Sequence, residues 1–131
     1  MLLKREAVMI TKITRDELMQ MINSREKFKL IDVLSRESFE NEHIKGAISL
    51  PLEEIGRKAH KLLHKKDKIV TYCGNFDCPA STQAAEKLLA MGFKNVLDYK
   101  GGLKDYKEAN LPLAGKVHEQ ETMACPSCSL K

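Results

Sequence analysis

Two cysteines, Cys73 and Cys78, bracket a short polar stretch between an apolar run and a helical one. A thiol is a nucleophile only as its thiolate, so its surroundings decide what it can do. Cys73 closes the run Lys68-Ile69-Val70-Thr71-Tyr72, whose β-branched and aromatic residues suit a strand. Pro79 fits the first position of a helix, where its missing N–H costs nothing. Ala80, Ala84, Ala85 and Leu88 then recur at helical spacing. Cys73 is therefore expected at the carboxyl end of a strand, under the amides of a helix N-terminus. Open α/β folds bind their ligands in that place. Amides and the helix dipole favour negative charge, so the pattern points to Cys73 as a thiolate nucleophile.

The remaining two cysteines, Cys125 and Cys128, form Cys-Pro-Ser-Cys close to the last residue. Cys-x-x-Cys spacing ligates zinc or cycles as a redox pair. Three readings stand side by side. The pair accepts sulfur or a disulfide from Cys73; or Cys73, Cys78, Cys125 and Cys128 together hold zinc; or the thiols are incidental to a tail. The preferred reading assigns no metal and no cofactor. His60 and His64, four apart on a lysine-rich segment, are read as a solvated face, and His43 as structural.

Elements must position these groups. Ala7–Ile10 with Ile13 reads as an opening strand. Thr14 and Glu17 make a capping box for a helix over about 15–23, with Leu18, Met21 and Ile22 on one face. Phe28–Val33 is a strand and about 37–41 a short helix with Phe39 inward. His43–Gly46 is a turn and Ala47–Leu50 a strand stopped by Pro51. A helix follows over about 52–64, then the strand to Tyr72 and the helix from Pro79 to Met91, ended by Gly92. Asn95–Tyr99 is a further strand, and Gly101-Gly102 opens a last short helix. Strands alternating with helices argue for a mostly parallel sheet of about five strands, covered on both faces. The domain is expected over residues 1–114, with a tail over 115–131. Asp32, near a strand end, is expected to accept backbone N–H groups near the loop, with general-acid work as the alternative.

The chain has 131 residues, 43% apolar and 31% charged, with a net charge of +4, which describes an ordinary single globular domain. Arg57, Lys58, Lys61, Lys65, Lys66 and Lys68 carry much of the positive charge, and read as a solvated helix face. No aromatic residues interleave with them, so nucleic acid is not an expected partner. No apolar run reaches membrane-span length. Met1-Leu2-Leu3 before Lys4 is too short for a secretory signal core. The expected setting is a reducing cytoplasm, with reactive or metal-binding rather than stapling cysteines.

Taken together, Leu30-Ile31-Asp32-Val33, Phe39, His43 to Pro51, Tyr72-Cys73, Ser81 to Ala85, Gly92 to Val96 and Tyr99 to Leu103 resemble the single-domain rhodaneses, a sulfurtransferase family. The resemblance covers about residues 13–113 and implies a rhodanese-like α/β fold. It also implies that Cys73 takes the outer sulfur of a sulfane-sulfur donor such as thiosulfate as a persulfide. A thiol acceptor, small or protein, then removes that sulfur. The loop Gly74, Asn75, Phe76, Asp77, Cys78, Pro79 and Ala80, with Ser81 following, would bind the sulfur anion through backbone N–H groups.

The loop departs from the family pattern. The commonest form is Cys-x-x-Gly-x-Arg followed by Ser, whereas seven residues separate Cys73 from Ser81 here and Ala80 holds the arginine position. Without that arginine an oxyanion loses its bidentate grip. Cys78 is open to three readings: a resolving or redox thiol for Cys73, a small residue that packs the loop, or a metal ligand. A redox-sensing or binding module using Cys73 and Cys78 without catalysis is the alternative to an enzyme.

Overall fold

The computed structural model describes residues 10–117. Five parallel strands form the main sheet in the order β1-β6-β5-β2-β4. They are β1 Thr11–Ile13, β2 Lys29–Asp32, β4 Ile48–Ser49, β5 Lys68–Tyr72 and β6 Asn95–Tyr99. A separate antiparallel pair joins β3 His43–Ile44 to β7 Leu113–Ala114. The helices are α1 Arg15–Asn23, α2 Arg36–Asn41, α3 Ile55–Leu62, α4 Ala80–Ala90 and α5 Gly102–Glu108. This is the rhodanese-like α/β arrangement the sequence leads one to expect, and its sheet is wholly parallel.

Alternation along β5 divides the core. Ile69 and Cys73 enter a cluster with Ala59 of α3 and Ala84, Ala85 and Leu88 of α4. Val70 and Tyr72 enter a second cluster with Leu18 and Met21 of α1 and Tyr106 of α5. Successive side chains of a strand point to opposite faces, so the central strand needs apolar residues on both. From β2 the chain continues to β4 on one side, and from β5 to β6 on the other. The crevice between the carboxyl ends of β2 and β5 is thus the topological switch point of the sheet.

Several boundaries differ from the sequence expectation. The opening strand begins at Thr11, and residues 7–9 of the expected one lie outside the described residues. His43–Ile44 is a strand rather than a turn, because residues far along the chain supply its partner; the bend comes at Gly46, with φ +91°. Phe39 is half-buried and stacks on His43 at 3.7 Å rather than entering the core. The expected 52–64 helix splits into a 3-10 turn over Leu52–Glu54 and α3, which stops where Leu63 turns extended. Pro79 caps α4 from outside and Ala80 is the first helical residue.

The last turn before α5 carries a steric constraint. Gly102 has φ +66°, and a Cβ there would run into the Cys73 carbonyl oxygen and lie 3.0 Å from the Asn75 nitrogen. Backbone on both sides leaves no flexible group to move aside. Gly102→Ala is expected to cost about 3 kcal/mol, from a strained dihedral plus the backbone clash. A urea melt checks this, and an unchanged midpoint would contradict it.

Candidate active site

Cys73 follows directly on β5, fully buried. The carbonyls of Cys73 and Gly74 have no strand neighbour left, and α5 takes them: Leu103 N–H donates to Cys73 O and Lys104 N–H to Gly74 O, each at 2.8 Å. The loop then folds on its own side chain. Asn75 Oδ1 accepts from Asp77 N–H at 2.9 Å and Cys78 N–H at 3.1 Å, which closes an Asx turn. Phe76 is left 63% exposed at the loop tip. Asp77 is exposed as well, and Pro79 and Ala80 lead into α4.

The two loop thiols are free and adjoin each other. Cys73 Sγ donates to the Cys78 carbonyl oxygen at 3.3 Å. Burial pushes the Cys73 thiol above its ordinary range and its hydrogen bond with Cys78 adds to this, while the Ser81 hydroxyl and N–H pull the other way. Desolvation thus works against charge on Cys73, and the Ser81 groups work for it. Cys78 is half-buried, and burial raises its thiol too. There the hydrogen bond from Cys73, the amides of Ala80 and Gly74 and the Lys100 charge win, so Cys78 lies below the ordinary range.

Lys100 is the site residue that sequence reasoning missed. The loop itself has no basic residue, but Lys100 Nζ donates to the Cys78 carbonyl oxygen at 3.0 Å. Parallel register explains its arrival. Tyr72 of β5 is paired with Tyr99 of β6, so the residues that follow, Cys73 and Lys100, leave the sheet side by side. The signal was the cation that directly follows a strand and precedes Gly101-Gly102. Lys100 also lines a cleft of about 560 Å³ with Phe76, Lys12, Arg15 and Tyr99. Arg15 is held there by Asp105 at 2.9 Å.

Ser81 is buried at the start of α4. Its hydroxyl completes no hydrogen bond among the described residues, yet lies beside the Cys73 sulfur, where it favours charge. Asp32 is fully buried and accepts from Leu34 N–H at 2.9 Å and Tyr72 O–H at 2.7 Å. The Tyr72 hydroxyl in turn accepts from Ile44 N–H at 3.0 Å. Burial raises the Asp32 carboxyl, against both of those hydrogen bonds. Asp32 thus ties β2, β5 and β3 together; it accepts a backbone N–H, that of Leu34, and stands in register with Tyr72, the residue before Cys73. His43 Nδ1 meets the Phe39 carbonyl at 2.6 Å. Arg36 pairs with Glu54 at 2.6 Å. Cys125 and Cys128 lie outside the described residues. Among the described residues no group of three or more His, Cys, Asp or Glu side chains is placed to hold a metal ion, and no helix is long and apolar enough to cross a membrane.

Comparison with known proteins meets this geometry at several points. The family profile described as the rhodanese-like domain matches residues 14–109. A protein of Bacillus subtilis named putative sulfur carrier protein YrkF is 30% identical over 97 residues, 74% of this chain and 51% of that protein. Escherichia coli thiosulfate sulfurtransferase PspE is 40% identical over 76 residues, 57% of this chain and 70% of PspE. This chain therefore spans about half of the first relative and more than two thirds of the second. Among solved structures, the BH2092 protein of Bacillus halodurans aligns with a TM-score of 0.76 at 30% identity, over 82% of this chain and 78% of that one. The rhodanese-like domain of Anabaena Alr3790 aligns with a TM-score of 0.75 at 28% identity, over 84% and 83%.

The opposed thiol environments generate a test on the unmodified protein. With iodoacetamide at pH 7, Cys78 is expected to alkylate well before Cys73. Its pH midpoint should lie below that of Cys73. Peptide mapping over a pH series reads both, and faster modification of Cys73 would contradict the assignment.

Proposed function

This chain belongs to the rhodanese-like domain family, and on that premise we propose that it moves sulfane sulfur from a donor to a thiol acceptor as a persulfide on Cys73. The observation that carries this reading is the place of Cys73: at the carboxyl end of the central strand, beside the unsatisfied hydroxyl of Ser81 and within reach of a second free thiol. The names of YrkF and PspE, a sulfur carrier and a sulfurtransferase, support it.

The chemistry needs no cofactor. A loop thiolate bonds to the outer sulfur of the donor, and the bond from that sulfur to its leaving group breaks, with the electron pair going to the leaving group. An acceptor thiolate then attacks the outer sulfur of the persulfide, and the loop thiolate is released. A persulfide is anionic near neutral pH, and the Ser81 hydroxyl and N–H stabilise it by charge-assisted hydrogen bonds. Thiosulfate would meet a single ammonium, that of Lys100, rather than a guanidinium fork. A polysulfide or low-molecular-weight persulfide asks for no fork and suits the site better. The free thiols suit a reducing, cytoplasmic setting. Their adjacency also favours a second reading, a redox-sensing module that closes a Cys73–Cys78 disulfide.

Intact mass spectrometry separates the two. Reduced protein treated with inorganic polysulfide is expected to gain one sulfur, and the Cys73→Ser/Cys78→Ser double variant none. Loss of two hydrogens that needs both cysteines would favour the redox module. No sulfur uptake from polysulfide or thiosulfate would end the sulfurtransferase reading. In Ser81→Ala, the loaded persulfide should decay about tenfold faster, the worth of one hydrogen bond to a charged group. An unchanged lifetime would remove Ser81 from the site.

A further inference from the structure

We propose that Thr71 and Asp98 are positioning residues that hold the first turn of α4, and with it Ser81, against the Cys73 sulfur; this rests on the sulfur-transfer reading above. Parallel register sets the two side by side, Thr71 of β5 being paired with Asp98 of β6. Side chains two apart on a strand share a face. Thr71 therefore looks the same way as Ile69 and Cys73, and Asp98 the same way as Val96, toward α4. Both are fully buried. A hydroxyl and a carboxyl cost free energy in such a place unless they are bonded. Each is bonded, and each to α4. Thr71 Oγ1 donates to the Ser81 carbonyl oxygen at 3.0 Å, with the Leu97 carbonyl as a second acceptor at 3.4 Å. Asp98 Oδ2 accepts from the Thr82 hydroxyl at 2.6 Å. Two consecutive residues at the start of α4 are thereby tied to two adjacent strands.

The helix needs such ties. Pro79 stands at the cap position and makes no side-chain hydrogen bond, so α4 lacks the anchor that a Ser, Thr or Asp cap supplies. The sheet supplies one instead, at the residue that matters for the chemistry. The Ser81 N–H and hydroxyl are the groups that favour charge on Cys73, and the hydroxyl has no other partner among the described residues. Hydrogen bonds weaken steeply with distance and angle. Thr71 fixes the carbonyl of Ser81 and Asp98 fixes the next side chain, which together set where α4 lies and how it is turned. Thr71 and Cys73 are two residues apart on one strand, so the sulfur and the anchor of its donor keep a separation of about 7 Å. Of the titratable groups nearby, Cys78 bears on the Cys73 thiol, Lys100 beyond β6 is bonded to the Cys78 carbonyl, and Asp32 at the end of β2 is bonded to Tyr72. Asp98 faces Thr82, and the first turn of α4 brings no acidic residue.

Two readouts test this in wild type, Thr71→Val, Thr71→Ser, Thr82→Val and Thr82→Ser: the pH midpoint of Cys73 alkylation, and the lifetime of the persulfide loaded from inorganic polysulfide. Thr71→Val keeps the outline of the side chain and removes its bond to Ser81. It is expected to raise the Cys73 midpoint by about half a pH unit and to shorten the persulfide lifetime about threefold, the worth of one weakened hydrogen bond. Thr71→Ser should restore both. Thr82→Val should shift them in the same direction, and Thr82→Ser should restore them. A urea melt of each variant runs alongside, because a purely structural loss moves the unfolding midpoint and leaves the Cys73 thiol of the folded protein where it was. Thr71→Val protein that loses stability but keeps the wild-type thiol midpoint and persulfide lifetime would overturn the proposal, as would a shift that Thr71→Ser fails to reverse. If Thr71→Val does not fold, the half-buried Thr82 carries the same test through its own pair of variants. A wild type that takes up no sulfur would remove the sulfur-transfer reading, while the thiol midpoints still report whether Thr71 and Asp98 position Ser81.

Discussion

Two backbone hydrogen bonds hold the site together. Where β5 ends, the carbonyls of Cys73 and Gly74 leave the sheet with no strand to pair with, and buried carbonyls need donors. The N–H groups of Leu103 and Lys104 provide them. Meeting that need brings the first turn of α5 against the loop, at a distance only a glycine permits at position 102. It also fixes the path of the turn from β6, and with it the place of Lys100. The loop, the cation and the two thiols are in this sense one arrangement, set by unpaired main chain at the end of the central strand.

Within that arrangement the lengthened loop sets two thiols in opposed surroundings. The two residues added relative to the common family pattern put a second cysteine over the first. Cys73 keeps the strand-end position but is shut off from solvent, so desolvation governs its thiol. Cys78 lies further out, where amides and one ammonium outweigh a smaller degree of burial. A loop arginine would have offered a fork for an oxyanion. A lysine from the neighbouring strand offers a point charge, better matched to a thiolate or a persulfide than to a planar or tetrahedral oxyanion.

Local patterns were legible in the sequence and long-range ones were not. The capping box at Thr14 and Glu17 reads directly, and α1 begins and ends where it implies. β5 and β6 match their apolar runs residue for residue, since central strands buried on both faces show up as continuous apolar sequence. The strand at His43–Ile44 was hidden because only two residues pair, and their partner lies far along the chain. Asp32 was placed correctly at a strand end, but its partner Tyr72 could be known only from the register of β2 with β5. Lys100 escaped for the same reason: a search confined to the loop could not see a residue delivered by an adjacent strand. The burial of the Cys73 sulfur could not be read, because it is a property of packing from both sides of the sheet.

The steric fit at Gly102 bears on how such a site could be moved to another scaffold. The stretch from Cys73 to Ser81 is continuous in sequence but not self-sufficient. Its first two carbonyls, its cation and its closest backbone neighbour all come from residues 100–104. The smallest portable unit is therefore a pair of segments carried on two adjacent parallel strands in fixed register. A graft of the loop peptide alone would carry the cysteines and leave behind what makes them differ.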